Sequence, residues 1–342
     1  MLKIYNLELN KVHYMKGLLY LSALMVLMGI YSCDKINNPI INKGGNDVTP
    51  VTPPTHVDST TASDDAILKV LVEDYTAHHC INCPAATKQC EDLIASLPVI
   101  NKPQCVFIEC NVSTLAQSYG TYPTFCWNDY TNTACNNWNN TFIDGNSLMP
   151  GTMVNRLYYS GVAGGTCDLY ASSVDVAVPF DSLVGINPVA TMNQTVNIHI
   201  VDSMYAPPTS TLAMDITTKL IAPKASNKYY MVVALVEDSI YDDQDSVGIS
   251  VANYLKHMTV RTAVNANGSG WGDSLAHTTS PQTMHYTYAN VAKFTYNSHV
   301  PFPPPAQSQA MWNMAHMYII AFVYQTGSTN NYMVLQVQRL HL

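Results

Sequence analysis

The chain has 342 residues, of which 47% are hydrophobic and 12% are charged. This length allows two domains with separate cores, and the composition excludes a disordered chain. The formal net charge is -8. With three arginines in the whole sequence, the chain lacks the basic clusters that binding to nucleic acid requires. All nine cysteines lie between Cys33 and Cys167, which indicates a cysteine-rich domain followed by a domain without cysteines.

The first 65 residues have the pattern of an export signal and a tether. An apolar stretch from Leu18 to Ile30 follows Lys16, and a small residue precedes Cys33. This pattern resembles a bacterial lipoprotein signal peptide over residues 1 to 32, with Cys33 as the lipid-bearing first residue; an uncleaved transmembrane anchor is the alternative. Residues 33 to 65 are rich in Asn, Thr, Pro and Gly, so we expect a flexible tether that holds the folded part at a membrane.

The stretch from Val70 to Pro84 joins a buried-strand pattern to a C-x-x-C pair, Cys80 and Cys83. After Cys83, apolar residues recur every three to four positions, which predicts an amphipathic helix that ends at Pro98. The two cysteines are therefore expected at a strand-to-helix junction. The N-terminus of a helix stabilises a thiolate, the nucleophilic form of cysteine, as disulfide exchange requires.

Three interpretations of this pair are open. A zinc site would need two more ligands, and although His78, His79 and Cys90 are near in sequence, no second C-x-x-C or suitably spaced His pair occurs. The pair is then either a structural disulfide or a thioredoxin-like dithiol, and its strand-to-helix setting favours the dithiol. We expect neither a metal nor a cofactor.

Residues 66 to 180 resemble a thioredoxin-like domain. Asp74 lies six residues before Cys80, the spacing at which thioredoxins bury an acidic residue that moves protons during exchange. Pro150 stands directly before a predicted strand, where the thioredoxin fold has a cis-proline that faces the dithiol. His79, next to Cys80, occupies the position at which thioredoxins usually have Trp; its charge would help to stabilise the thiolate.

Residues 111 to 148 are expected to form an insertion in this domain. The segment is aromatic and Asn-rich, and its helical periodicity is poor. Cys126 and Cys135 lie nine positions apart. A local disulfide between them is one interpretation, and an ordinary structured insertion is the other.

Residues 181 to 342 show the period-two alternation of β-strands. Such runs occur near 196 to 200, 212 to 220, 229 to 236 and 258 to 262, and a final hairpin covers 317 to 337. Strands of this length with turn residues between them indicate a β-sandwich. The predicted fold is therefore an α/β thioredoxin-like domain followed by an all-β sandwich domain. An acidic group between two of the strands, Glu237, Asp238, Asp242, Asp243 and Asp245, is expected to be a solvated loop.

The arrangement as a whole resembles the outer membrane protein 28 family of Bacteroidetes lipoproteins. Residues that carry the resemblance are Val70, Leu71, Glu73, Thr76, Cys80, Cys83, Pro84, Ala86, Asn155, Arg156, Leu235, Val236, Glu237, Asp238, His257, Arg261, Trp271 and Gly272. The resemblance implies exposure at the cell envelope, in the outer membrane and on its periplasmic or outer face, and a role that is often described as adhesin-like.

Two functions follow as expectations. In the first, the protein is a thiol-disulfide oxidoreductase that acts on dithiols or disulfides of other proteins. Cys80 is then the attacking thiolate, Cys83 the resolving thiol, Asp74 the proton acceptor and Pro150 the backbone platform for the substrate. In the second, the domain is a disulfide-stapled scaffold that binds surface ligands. Six cysteines besides the C-x-x-C pair and Cys33 favour this alternative.

Overall fold

The described part of the chain is built mainly from strands. A computed structural model describes residues 56–65, 67–97, 104–117, 130–143, 149–157, 167–168, 194–204, 211–247, 249–289, 312, 314–327 and 331–342. These residues belong to one compact unit, Thr52–Leu342. The helices are α1 (Ala62–Asp65), α2 (Cys83–Ser96) and α3 (Thr133–Phe142), with short 3-10 turns at Thr114–Ala116, Ala266–Gly268 and Met314–His316. The strands are β1 (His56–Ser59), β2 (Val70–Thr76), β3 (Cys105–Asn111), β4 (Gly151–Val154), β5 (Cys167–Asp168), β6 (Val196–Met204), β7 (Leu212–Leu220), β8 (Lys228–Glu237), β9 (Ile240–Ser246), β10 (Ile249–Lys256), β11 (Thr259–Ala263), β12 (Asp273–Leu275), β13 (Gln282–Tyr288), β14 (Met317–Thr326) and β15 (Val334–His341).

The larger sheet is mixed and has the order β15-β14-β8-β11-β3-β2-β4-β5, with β12 paired to β8. β2 and β3 are parallel, and β4 runs antiparallel to β2. β11 meets β3 in parallel where Thr259 is registered with Glu109, and β8, β14 and β15 continue the sheet in antiparallel pairs. The strands predicted at Val70 and after Pro150 are thus confirmed, and β2 lies between β3 and β4.

Strands from both sides of residue 180 share this sheet. β8 and β14 are buried on both faces: Val232 and Ala234 belong to the core cluster of β2 and β3, whereas Val233 and Leu235 belong to a second cluster. Both faces are covered, so these strands are nearly continuous apolar runs. The predicted division into a thioredoxin-like domain and a separate β-sandwich is therefore not confirmed, and the described chain is a mostly β structure with mixed and antiparallel sheets.

The smaller sheet is antiparallel, with the order β1-β6-β7-β13. Alternate residues of β7 are buried, as the period-two pattern predicted. Its core side chains, among them Ile198, Ile200, Met214 and Ile216, form one cluster with residues of β8 and β14. The smaller sheet thus packs on one face of β8 and β14.

The prediction of a flexible tether to residue 65 is wrong from His56 onward. β1 pairs with β6, and α1 follows it. Asp65 ties this segment to both sheets: its carboxylate accepts a hydrogen bond from Thr60 at 2.6 Å and from Gln338 of β15 at 3.2 Å, and lies 2.6 Å from His199 Nδ1 of β6. This segment is held in place by polar side chains, and its composition is therefore similar to that of a flexible linker.

Helix α2 begins and ends where the sequence predicted. Asn82 is its N-cap, and a proline stands in its first turn, where the missing N–H costs no hydrogen bond. Its buried face consists of Cys83, Ala86, Thr87 and Cys90. The helix therefore presents the second cysteine and a threonine, one turn apart, towards β2.

Helix α3 lies inside the predicted insertion, where no helix was expected. Asn132 caps it by accepting a hydrogen bond from the Cys135 N–H at 2.9 Å. Trp138 is fully buried, and its Nε1 donates to the Gly270 carbonyl at 2.9 Å. A Cβ on Gly270, whose φ is +81°, would lie 2.7 Å from Trp138 atoms, so this close approach requires glycine. The insertion is thus part of the core.

A buried ion pair joins β2 to the turn after β4. The Arg156 guanidinium donates to both carboxylate oxygens of Glu73, at 2.8 and 2.6 Å, and neither side chain is exposed. Four aromatic rings surround the guanidinium carbon, with centroids at 4.8 Å for Trp138, 4.9 Å for Phe142 and Phe322, and 5.9 Å for Tyr324. The pair fixes the strand that leads to the C-x-x-C motif.

β9 and β10 form a separate two-stranded sheet, which we call the covering hairpin. It contains most of the acidic group that was expected to be a solvated loop. That expectation is wrong, because Asp242 is 7% exposed and accepts a hydrogen bond from the Tyr130 hydroxyl at 2.7 Å, and Glu237, at the end of β8, is 2% exposed. The hairpin packs over the site described next.

Candidate redox site

Cys80 and Cys83 form a disulfide at the junction of β2 and α2. β2 ends at Thr76, a short turn follows, and α2 starts at Cys83. The Cys83 N–H donates to the Cys80 carbonyl at 3.2 Å. The second sulfur therefore belongs to the first residue of the helix, where the helix dipole favours a thiolate.

The disulfide is enclosed by the protein. Cys80 is 8% exposed and Cys83 is 1% exposed. Both belong to a small apolar cluster with Ala77, Ala116, Tyr130 and Ile240, against which Met149 packs. A reagent in solution therefore has little direct access to either sulfur.

The covering hairpin closes the site through polar contacts to the turn before Cys80. The Gln244 side-chain amide donates to the carbonyls of Ala77 and Cys80, at 3.1 and 3.3 Å. The Asp245 N–H donates to the His78 carbonyl at 2.8 Å. On the opposite strand of the hairpin, the buried Lys256 ammonium donates to Gln244 at 2.6 Å. These bonds hold β9 directly over the dithiol turn.

Two histidines precede Cys80. His79 Nδ1 lies 2.8 Å from the Asp245 carboxylate, so the predicted stabiliser of the thiolate is paired with the covering hairpin. His78 is buried, and its Nε2 lies 2.8 Å from the Gln117 carbonyl. Burial lowers the pKa of His78 to about 3, and the charges of Lys256 and His79 add to this effect. His78 is therefore neutral at neutral pH.

Asp74 is fully buried on β2, as the sequence predicted. Its Oδ2 accepts a hydrogen bond from the Thr87 hydroxyl at 2.7 Å, and Thr87 lies one turn after Cys83 on the same face of α2. Burial raises the pKa of Asp74 to about 8; the Thr87 bond opposes the shift, and the charges of Glu109 and Glu91 add to it. The carboxyl is thus protonated over much of the neutral range.

Pro150 follows a cis peptide bond from Met149 and directly precedes β4. The next residue, Gly151, is registered with Tyr75 near the end of β2. Because Met149 also packs against the cluster around the disulfide, the cis peptide lies beside the C-x-x-C turn. The structure thus brings together Cys80, Cys83, Asp74 and Pro150 at one end of β2 and β4.

A disulfide between Cys126 and Cys135 was one of two interpretations of the insertion, and the state of Cys135 speaks against it. Cys135 is a free, buried thiol on α3, and it is hydrogen-bonded to the Cys110 thiol of β3. Cys135 lies on the side of α3 that packs on the larger sheet, so its thiol points into the core and not towards a surface loop. Cys126 and the lipidation candidate Cys33 lie outside the described residues, as do residues 1 to 55.

Three hairpin residues that complete the site could not be recognised from sequence patterns: Gln244, Asp245 and Lys256. They lie more than 160 residues after the dithiol, and the acidic residues around them suggested a surface loop. Among the described residues, no group of three or more His, Cys, Asp or Glu side chains is placed to hold a metal ion. The described chain also contains no helix that is both long and apolar enough to cross a bilayer.

No protein-family model matches the sequence, and no curated protein matches it either. HBP35 of Porphyromonas gingivalis is a structural neighbour with a TM-score of 0.54 and 12% sequence identity, over 81% of this chain and 76% of that chain. The two proteins share a fold. At this identity HBP35 carries no information on activity. A domain of the outer membrane lipoprotein Omp28 from the same organism is 20% identical over 44% of this chain and 90% of its own, but its TM-score of 0.26 is too low to show a common fold.

Proposed function

We propose that the protein is a thiol-disulfide exchange protein whose reactive pair is Cys80 and Cys83. Two observations together carry the proposal: a disulfide at the start of α2, and a fully buried carboxyl on β2, Asp74, that accepts a hydrogen bond from Thr87, one helical turn after Cys83. A helix N-terminus favours the thiolate, and a carboxyl with a raised pKa exchanges protons near neutral pH. Exchange chemistry needs both properties.

The reaction proceeds through a mixed disulfide. A substrate thiolate, whose proton has gone to solvent, attacks the Cys80 sulfur; the disulfide breaks and Cys83 leaves as a thiolate, which takes a proton from Asp74. The second substrate thiolate then attacks the substrate sulfur of the mixed disulfide. Cys80 is released as a thiolate, the substrate is oxidised by two electrons, and the cysteine pair is reduced by two.

We also propose that the protein is a lipoprotein of the cell envelope, related to the outer membrane protein 28 family of Bacteroidetes. Cys33 is the lipid-bearing residue, and residues up to 55 connect it to β1. The signal pattern before Cys33, and the C-x-x-C motif with its flanking residues, support this proposal. Substrates are then dithiols or disulfides of other exported proteins.

Exchange with a model protein disulfide in the presence of a dithiol donor tests the function. Wild-type protein is expected to accelerate the exchange, and Cys80→Ser is expected to abolish the acceleration, because the attacked sulfur is lost. Cys105→Ser is the matched control, since Cys105 is a buried free thiol on β3 whose pKa burial raises to about 12. Equal rates for wild type and Cys80→Ser would contradict the proposal.

The burial of the disulfide favours a second candidate, a ligand-binding scaffold in which Cys80–Cys83 is a structural bond. Cys83 is 1% exposed, as a structural bond would be. In this case a Cys80→Ser, Cys83→Ser double variant loses stability and retains binding of its surface ligand. Loss of binding by a folded double variant would count against the scaffold.

A further inference from the structure

Asp74 and Glu109 are registered partners on the adjacent parallel strands β2 and β3. Registered partners project from the same face of a sheet, and adjacent strands lie about 4.8 Å apart. Asp74 is 0% exposed and Glu109 is 2% exposed. The fold therefore places two carboxyls side by side and away from water, next to the helix that carries Cys83.

One carboxyl oxygen of this pair has no hydrogen-bond donor in the described part of the chain. Glu109 accepts from the His257 N–H and from the Thr259 hydroxyl, each at 3.3 Å. Asp74 accepts from Thr87 through Oδ2, whereas no donor within the described residues reaches its Oδ1. A buried carboxylate oxygen without a donor is costly, and this cost favours a neutral, protonated Asp74 over the carboxylate.

Charged and titratable groups surround the pair on several elements. They are Glu91 and Cys90 on α2, Tyr254 and Lys256 on the covering hairpin, and His257 after it. Burial raises the pKa of Glu109 to about 7, while the charges of Lys256 and His257 oppose the shift and Glu91 adds to it. Two adjacent buried carboxylates repel each other, so full ionisation of both is unfavourable at neutral pH.

We propose that Asp74 and Glu109 hold one proton between them, and that Glu109 is the positioning residue that sets the protonation of Asp74 during exchange. This inference rests on the proposed function. With the shared proton on Asp74, the carboxyl protonates the departing Cys83 thiolate, and both carboxyls are left ionised. When the disulfide forms again, the Asp74 carboxylate takes this proton back from Cys83, and the repulsion between the two carboxylates favours its return. One proton thus serves both directions of the reaction.

Carbon-13 NMR titration of Asp and Glu side chains in the oxidised protein tests the pair without any turnover. In Glu109→Gln, the apparent pKa of Asp74 is expected to fall by at least about one pH unit, because the neighbouring negative charge is gone. Asp74→Asn is expected to lower the pKa of Glu109 in return. Glu109→Asp, which keeps the carboxyl, should restore most of the effect, whereas Glu91→Gln, at a half-exposed position, should change Asp74 less.

The pH dependence of disulfide reduction by a small dithiol tests the use of this proton. The rate is expected to change with pH around the pKa of Asp74, and in Glu109→Gln this change should shift to lower pH together with that pKa. If Glu109 had a structural role alone, its replacement would change the rate by the same factor at every pH. An unchanged Asp74 titration in a folded Glu109→Gln variant overturns the shared proton. A shifted titration with an unmoved rate profile overturns its role in exchange. If no dithiol reduces the wild-type pair, the proposed function fails, and the titration still decides the shared proton on its own.

Discussion

Removal of the Asp245 carboxylate is expected to make the Cys80–Cys83 disulfide react faster. The carboxylate lies 2.8 Å from His79 Nδ1, and the two side chains are 35% and 12% exposed. A charge-assisted hydrogen bond with this exposure contributes about 0.5–1.5 kcal/mol. Because Cys80 is 8% exposed, a reagent reaches it when the covering hairpin opens. Asp245→Ala then raises the open population, and with it the rate, roughly 2- to 12-fold.

The assay follows reduction by excess phosphine in native buffer, with acid quench, alkylation and mass analysis of the peptide that contains both cysteines. Asp245→Asn, which keeps a hydrogen-bonding group opposite His79, is expected to react at a rate between those of wild type and Asp245→Ala. Val247→Ser is the control, because Val247 is 70% exposed in the hairpin connection. All variants should react equally in concentrated guanidinium. A native rate for Asp245→Ala equal to that of wild type would refute the reasoning.

Three further predictions concern stability. Glu73→Gln leaves the buried Arg156 charge without its partner and is expected to lower the free energy of unfolding by about 3–5 kcal/mol, measured by urea titration. A loss below about 1 kcal/mol would show that the ion pair contributes little to stability. Asp65→Ala leaves two buried donors unsatisfied and is expected to cost about 2 kcal/mol or more, measured in the same way. An unchanged midpoint would mean that α1 is not part of the folded unit. The folded pKa of Asp74, about 8, lies above the unfolded value of about 3.9, so the contribution of Asp74 to stability should fall as pH rises between these values and then level off. Asp74→Asn should flatten this slope and the exposed Asp92→Asn should not; equal slopes would contradict the raised pKa.

Local patterns in the sequence predicted the strand, the helix and the cysteine pair of the candidate site. The apolar run of β2, the 3.6-residue period of α2 and the C-x-x-C spacing each report on neighbours within a few residues. Asp74 and Pro150 were placed through their resemblance to positions of the thioredoxin fold. Cys80, Cys83, Asp74 and Pro150 lie together because β2 carries Asp74 and leads into the C-x-x-C turn, and because β2 pairs with β4, the strand that follows Pro150.

Contacts between segments that are distant in the sequence could not be predicted from such local patterns. The covering hairpin meets the dithiol through the pair of His79 and Asp245, which are separated by 166 residues. Helix α3 has an Asn-rich sequence with weak intrinsic propensity, and tertiary packing of Trp138 stabilises it instead. Likewise β8 and β14 have apolar residues on both faces, which fits a sandwich strand and a strand of the larger sheet equally well. Sequence periodicity alone does not tell which sheet such a strand joins.

The reduction potential of the Cys80–Cys83 pair separates an exchange protein from a scaffold with a structural bond. It is measured by equilibrating the folded, full-length protein with dithiol buffers of known potential and quantifying the oxidised peptide that contains both cysteines. The proposed function predicts a value between about -270 and -120 mV, the range of known exchange catalysts. A potential below about -300 mV would contradict it and leave the disulfide as a structural bond.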